Sequence, residues 1–153
     1  MDGGARLIAL LLAVAAPQAI SIHQRWGAFR DEAPTRCYAI SRPVRGRTGT
    51  PFASVGSWPG AGARGQVHVR LSRPRSDRAQ VVLAIGERRF ELKAGRIDAW
   101  SPDPATDRAI VAAMRGGRSM SVESVGENGA PFVDVYALAG AATAIDAAAL
   151  GCL

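Results

Sequence analysis

Apolar and polar residues alternate in the middle of the chain, as they do in β-strands that bury one face. In residues 66–72, Val67, Val69 and Leu71 are separated by polar or charged residues. This period of two predicts a half-buried strand. Shorter apolar runs, each next to a segment that contains Gly or Pro, predict further strands at 26–30, 37–41 and 52–58.

Two longer segments predict β-hairpins. Residues 81–95 turn at Gly86-Glu87, which places apolar residues on the two sides of the turn across from each other. Residues 119–138 have a tip at 126–129, whose two glycines permit the left-handed backbone that such a turn needs.

Two other segments have the signature of short helices. The first, about 104–116, follows Asp103, a favourable N-cap residue, and has Pro104 at its first position. The second, 141–150, is rich in Ala and ends before Gly151. Strands grouped in hairpins, with two helices late in the chain, predict a mainly β fold. We expect either an antiparallel β-sandwich or a strongly bent sheet of hairpins.

The N-terminus has the three parts of a secretory signal peptide. A short polar segment with one arginine precedes an apolar run at 7–16, and Ala13 and Ala15 fit an A-x-A cleavage site. The run is too short to span a membrane. Cleavage after Ala15, or as late as residue 19, leaves one β-rich domain at 22–153. We expect this domain to be periplasmic, or secreted and associated with the outer membrane.

The chain has two cysteines, Cys37 and Cys152. An even number of cysteines in an exported protein indicates a disulfide, which here would tie the first strands to the C-terminus. Two free thiols are the alternative. The cysteines form no C-x-x-C motif and lie far from both histidines, so the sequence predicts no metal site.

Positive charge is concentrated in the N-terminal half of the predicted mature chain. Residues 16–80 contain 11 Arg and three acidic residues, whereas residues 81–153 contain seven basic and nine acidic residues. The asymmetry predicts a surface for anionic envelope lipid or an acidic protein, although an Arg-rich composition alone also produces it. The residues assigned to this surface are Arg42, Arg45, Arg47, Arg64, Arg70, Arg73 and Arg75, with Trp58 as an aromatic contact.

Nucleic acid is not expected as a partner. Proteins that bind single strands use aromatic side chains as stacking platforms between their basic residues. No aromatic residues alternate with these arginines along the sequence.

One segment has the spacing of a dinucleotide-binding loop, G-x-G-x-x-G, at Gly60, Gly62 and Gly65. Such a loop binds phosphate because it opens a helix whose N-terminus faces the ligand. Here the glycines precede the strand at 66–72. We therefore interpret them as a turn and predict no cofactor.

The two histidines are the candidate general bases. His23 lies in an N-terminal segment expected to be frayed, and His68 lies on the polar face of a strand, where an exposed surface residue is the simplest interpretation. We therefore assign no catalytic residues. A hydrolase in which His68 activates a serine is the alternative. The nearby Asp98, Asp103 and Asp107 are explained in part by helix capping and by charge at a helix N-terminus.

Two blocks of the sequence resemble the invasion-associated locus B family. WGAFRDEAPTRCYAI (26–40) is similar to the family's opening block, in which a Trp is soon followed by cysteines. DRAIVAAMRGGRSMSVESVGENGAPFVDVYALAGAATAIDAAAL (107–150) is similar to its C-terminal block of helix, strand, Gly-tipped hairpin and small-residue helix.

The resemblance implies an exported alphaproteobacterial protein with a compact β-rich domain, and one family member is tied to host-cell invasion. The cysteines depart from the family pattern. Arg30 stands where the family has a cysteine four residues after the Trp, and Cys152 has no counterpart. The disulfide is therefore inferred from the two cysteines present and not from the family.

These observations together favour a non-enzymatic exported domain that binds an envelope component or a partner protein. A periplasmic enzyme, specifically a hydrolase that uses His68, is one alternative. A structural envelope-stress protein without a ligand is the other.

Overall fold

A ten-stranded antiparallel sheet forms the framework of the molecule. The computed structural model describes residue 13, residues 15–46 and residues 48–153, so Arg47 and most of the predicted signal peptide lie outside the described residues. The strands are β1 (Gln18–His23), β2 (Trp26–Glu32), β3 (Thr35–Ser41), β4 (Phe52–Trp58), β5 (Ala63–Arg70), β6 (Val81–Ile85), β7 (Arg88–Ala94), β8 (Asp98–Trp100), β9 (Ser119–Val125) and β10 (Pro131–Ala137). Their order across the sheet is β1-β2-β3-β4-β5-β8-β7-β6-β9-β10.

Two helices, α1 (Pro104–Gly116) and α2 (Ala141–Gly151), lie where the sequence predicts them. Asp103 caps α1, since its carboxylate accepts a hydrogen bond from Thr106 N at 2.7 Å. This contact satisfies one of the N–H groups that the first turn of a helix leaves without an intrahelical partner. No helix in the described part of the chain is long and apolar enough to cross a membrane.

The sheet bends so far that its two ends touch. Trp26 on β2 donates an indole hydrogen bond to Ala137 O on β10, at 2.9 Å. The loop after β3 also reaches β10, where Val44 N donates to Val135 O at 2.7 Å. The sheet is nevertheless open, because β1 and β10 remain the two edges of the strand order. The prediction of a mainly β, strongly bent sheet of hairpins with two helices is confirmed.

The inner face of the sheet, which we define as the side toward the helices, holds the core. Val67, Val69 and Leu71 are buried there, as their alternation predicts. Helix α2 packs against β1, β2 and β3. The predicted disulfide between Cys37 and Cys152 joins β3 to the end of α2, with the two Cα atoms 5.8 Å apart.

The glycine-rich segment is a turn, as the sequence predicts. A short 3-10 turn (Pro59–Ala61) connects β4 to β5, and Gly62 and Gly65 have φ angles of 67° and 63°. Such positive φ angles favour glycine. Strand β5 follows the glycines, so no helix N-terminus faces this loop.

The first strand was not predicted. The segment around His23, expected to be frayed, pairs with β2 from Gln18 to His23. His23 ends the strand, with its Nε2 2.8 Å from Ser21 Oγ. The expectation of a frayed segment is wrong because the segment pairs with the edge of β2. The short sequence of β1 does not itself show that this edge is open for pairing.

Candidate binding site on the outer face of the sheet

Aromatic rings and arginines line one face of the sheet. We define this outer face as the side of β2–β5 and β8 that points away from the helices. Its residues alternate with those of the core, because successive side chains in a strand point to opposite faces. The rings belong to Phe29, Tyr38, Phe52, Trp58, His68 and Trp100, and the strand arginines are Arg36 and Arg70. Aromatic residues and Arg are the side chains enriched at binding surfaces.

The first ring cluster lies on β2, β3 and β4. The rings of Phe29 and Tyr38 stack with centroids 5.9 Å apart. The Arg36 guanidinium lies 4.2 Å from the Tyr38 centroid and 5.6 Å from the Trp58 ring, and it donates to Asp31 at 2.7 Å. Burial, and then the charge of Asp31, raise the pKa of the Tyr38 hydroxyl. This cluster is therefore held by cation–π contacts and one ion pair.

A glycine makes room for the indole of this cluster. A Cβ at Gly56 would lie 3.2 Å from two ring carbons of Trp58. The Trp58 side chain therefore folds back over β4 and is half-buried. Trp58, which the sequence assigned as an aromatic contact, faces outward beside Arg36 and stays a predicted contact.

The second ring cluster centres on His68. Its imidazole stacks on Trp100, with centroids 5.0 Å apart and planes 8° apart, and meets the edge of Phe52 at 5.0 Å. His68 Nε2 lies 2.8 Å from Asp98 Oδ1, and Arg70 also donates to both oxygens of this carboxylate. His68 is thus half-buried between two rings, and the expectation of a freely exposed surface histidine is wrong.

The carboxylate of Asp98 connects His68 to Arg70. Burial by itself would raise the pKa of Asp98, but hydrogen bonds from Arg70 and His68 outweigh it and lower this pKa. The carboxylate is therefore ionised at neutral pH and orients the imidazole. An Asp–His pair is two thirds of a hydrolytic triad. The hydroxyl of Ser54, the cross-strand neighbour, is directed at the backbone O of His68 at 3.5 Å and not at the ring.

A groove opens on the outer face between β1 and the loop that connects β3 to β4. Its volume is about 970 Å³. The floor consists of apolar side chains and a glycine, namely Ile22, Gly27, Phe29, Ile40 and Phe52. A Cβ at Gly27 would lie 2.6 Å from the Phe29 ring and 2.9 Å from Ile22, so these two side chains close over the glycine.

Three arginines collect at one end of this groove. Arg25 precedes β2, Arg42 follows β3, and Arg70 ends β5. These positions lie at the same end of the sheet because the neighbouring strands run in opposite directions, and β4 separates the strands of Arg42 and Arg70. Arg70 is paired with Asp98. Among the described residues, neither Arg25 nor Arg42 has an acidic partner.

The structure separates the arginines that the sequence grouped into one basic surface. Arg42 and Arg70 line the groove, whereas Arg64 is exposed at the opposite end of β5. Arg45 forms a backbone bridge with Val135. Arg47 lies outside the described residues.

Two further arginines of that set hold the fold together. Arg73 lies 5.6 Å from the Phe132 ring centroid. The guanidinium of Arg75 donates to five backbone carbonyls at 2.6–3.0 Å, which tie the loop before β6 to the end of β7. A shared basic surface for all seven arginines stays a prediction.

The three sequence-adjacent aspartates occupy separate sites. Asp98 belongs to the His68 cluster and Asp103 caps α1. Asp107 reaches across to β5, where its carboxylate accepts the Val67 N–H at 2.8 Å. No group of three or more potential metal ligands occurs in the described ranges.

Sequence reasoning missed the interleaving of rings and arginines. It examined neighbours along the chain, whereas Phe52, His68 and Trp100 come from three strands. The premise used against nucleic acid, that no rings accompany the arginines, does not hold in three dimensions. The exclusion of nucleic acid itself stays a prediction. The cluster could have been found only from the pairing of the strands at 52–58, 66–70 and 98–100, which places the three rings next to each other.

Comparison with known proteins identifies the fold. No family model matches the chain, and no curated protein matches it significantly in sequence. The crystal structure of invasion associated protein B from Bartonella henselae is similar, with a TM-score of 0.60 and 14% sequence identity. The match covers 86% of this chain and 94% of that chain. The resemblance predicted from the sequence is thus confirmed for the fold.

Proposed function

We propose that this chain is an exported, non-enzymatic domain of the invasion-associated locus B type that binds an anionic lipid of the cell envelope on its outer face. The fold likeness to invasion associated protein B supports the domain type. The predicted signal peptide supports export. The groove and its arginines support the binding of an anion.

The observation that carries the proposal is the pair of unneutralised arginines beside an open apolar groove. Three arginines, Arg25, Arg42 and Arg70, lie around the groove end, and within the described part of the chain only Arg70 pairs with a carboxylate, that of Asp98. Arg25 and Arg42 are exposed, so their charges are available to a partner. Charge complementarity of this kind steers an anionic partner to the site, and salt weakens it.

The position of β1 supports removal of the leader after Ala15. That cleavage leaves the whole of β1 (Gln18–His23) in the mature chain, whereas cleavage after residue 19 removes two of its six residues. We expect the mass of the periplasmic protein to correspond to a chain that begins at residue 16. Recovery of a chain that begins at residue 20, or of one with its leader intact, would contradict this expectation.

Vesicle binding tests the function directly. The mature protein should co-sediment with phosphatidylglycerol-containing vesicles at low salt, should be released at high salt, and should not bind pure phosphatidylcholine vesicles. Replacing both Arg25 and Arg42 by Gln should weaken binding by roughly 30-fold, at about 1 kcal/mol for each arginine near a lipid surface. The control is Arg108→Gln, which removes an exposed arginine from α1.

Other results would overturn the proposal. Salt-insensitive binding would show that charge does not drive the association. A loss of binding free energy in the control half as large as that in the double variant would show that net charge and not the outer face is responsible. Binding to a single-stranded oligonucleotide or an acidic protein without binding to vesicles would assign the face to another partner. Absence of any binding would favour the structural protein without a ligand.

The hydrolase alternative is supported by the His68–Asp98 pair alone. Its test is hydrolysis of activated esters by the mature protein. Activity that His68→Asn abolishes, with the fold intact, would replace the binding proposal by an enzymatic one.

A further inference from the structure

We infer that the groove holds the hydrocarbon chain of a single anionic lipid, with the headgroup at Arg25, Arg42 and Arg70. This inference rests on the proposed function and specifies its ligand. It describes a one-to-one complex with an extracted lipid, whereas adhesion to a membrane surface would need only the exposed arginines.

The groove has a polar end and an apolar end. The three arginines lie where β2 begins and where β3 and β5 end. From there the floor runs along β3 past Ile40 to Tyr38 and Phe29, which face each other on neighbouring strands. Arg42 lies four positions beyond Tyr38 along the chain, which is about 13 Å of floor at the usual rise. A lipid with an anionic headgroup and a medium-length alkyl chain would match this arrangement, with its headgroup at the arginines and its chain along the apolar floor.

The floor is suited to hydrocarbon because its side chains are apolar and open. Ile22 is 64% exposed, a large fraction for an isoleucine on a strand. Its side chain lies beside the Phe29 ring above Gly27, so the apolar surface is continuous. Burial of such surface by an alkyl chain is favourable.

The floor offers little to a sugar. At the arginine end, Ser41 is buried and its Oγ already donates to Arg25 O at 2.7 Å. A glycan needs several free hydrogen-bonding groups in fixed positions. Of the remaining polar lining residues, Gln24 and Thr50 lie in the connecting segments, and the Tyr38 hydroxyl on β3 already donates to Asp31 at 3.4 Å. A lipid chain therefore fits this surface better than an oligosaccharide.

Titration with laurate below its critical micelle concentration tests the inference, with calorimetry and native mass spectrometry as readouts. We expect one laurate for each mature chain. Inorganic phosphate, which has charge without a chain, and dodecyl maltoside, which has a chain without charge, should each bind at least tenfold more weakly.

Two variants separate the chain from the headgroup. Ile22→Ser removes apolar floor and should weaken laurate binding about tenfold. Its matched control is Ile20→Ser on the same strand, since Ile20 is 40% exposed but lies beside Gly151, the last residue of α2, and does not line the groove. Arg42→Gln should weaken laurate binding about tenfold and leave the binding of dodecyl maltoside unchanged.

The outcomes distinguish this inference from the function on which it rests. If laurate does not bind, or if Ile22→Ser and Ile20→Ser have equal effects, the groove does not hold a lipid chain. Persistent arginine-dependent binding to vesicles would then leave the proposed function in place. If neither laurate nor vesicles bind, both are wrong. Equal binding of laurate and inorganic phosphate would reduce the site to an anion site.

Discussion

The inner and outer faces of strands β2–β5 are made from the same 29 residues of strand and differ in almost every physical respect. Apart from Trp26, Arg30 and Glu32, the inner residues are small or aliphatic, and most of them are buried. The outer residues include four aromatic side chains and His68, which contact each other and the guanidinium groups of Arg36 and Arg70. Because neighbours along a strand serve opposite faces, stability and recognition can be changed independently within one strand.

The inner face should depend most on the disulfide. Replacing both Cys37 and Cys152 by Ser removes a link between residues 115 apart. The chain-entropy model assigns such a loop about 4–5 kcal/mol of stability. Urea denaturation of the double variant and the native protein measures the difference. A loss below about 1 kcal/mol would show that α2 holds β3 in place without the covalent bond.

Trp26 should show the next largest effect, since it joins the two ends of the bent sheet. Trp26→Phe removes the donor to Ala137 O and leaves that carbonyl without its partner, so we expect a loss of about 2 kcal/mol. The matched control is Trp100→Phe on the outer face, where the indole is 37% exposed and the loss should stay below about 1 kcal/mol. Equal losses would mean that the two faces do not differ in their contribution to stability.

Much of the inner face could be predicted from the sequence. The alternation of Val67, Val69 and Leu71 identified buried positions, and Asp103 with Pro104 identified the start of α1. These signals are local, because they depend on spacing within one element. The cysteine count identified the disulfide for a different reason, since only one pairing is available to two cysteines.

The candidate site could not be predicted in the same way. The groove depends on which strands are neighbours and on their register, and a local sequence pattern predicts neither. Arg70 and Arg75 illustrate the difference. Both belong to the same basic stretch of sequence, yet Arg70 lines the groove while Arg75 is saturated by five carbonyls. Composition alone cannot separate an arginine that binds a partner from one that holds a loop.

The carboxylates of the two faces should respond oppositely to pH. Burial raises the pKa of Asp134, which lies on the inner face of β10, whereas Arg70 and His68 lower that of Asp98. A raised native pKa means that the native state binds the proton more tightly than the unfolded chain, so Asp134 costs stability as pH rises above about 4. Asp98 contributes stability above about 4, which is lost as pH falls below that value.

Asp134→Asn separates these contributions. The amide keeps an oxygen that can accept the Ser72 N–H, which Asp134 Oδ2 accepts at 2.8 Å, and it removes the buried charge. Between pH 4 and neutral pH, the free energy of unfolding should fall less in the variant than in the native protein. Asp98→Asn should not change how the free energy of unfolding varies with pH between pH 4 and neutral pH. Below about pH 4, the variant should lose less stability than the native protein. If Asp98→Asn changed the range above pH 4 and Asp134→Asn changed the range below it, the environments described for the two carboxylates would be wrong.

The smallest effect on stability is expected at Arg36, in the middle of the first ring cluster. Arg36→Gln removes an ion pair with Asp31 and a cation–π contact with Tyr38, both of which are partly exposed to solvent. Pairs of this kind contribute less than about 1 kcal/mol each. Thermal unfolding should therefore change little, and vesicle binding should weaken in proportion to one lost charge. If the variant unfolds as readily as Trp26→Phe, the rings of the outer face act as a second core, and their exposure would be a consequence of packing and not of recognition.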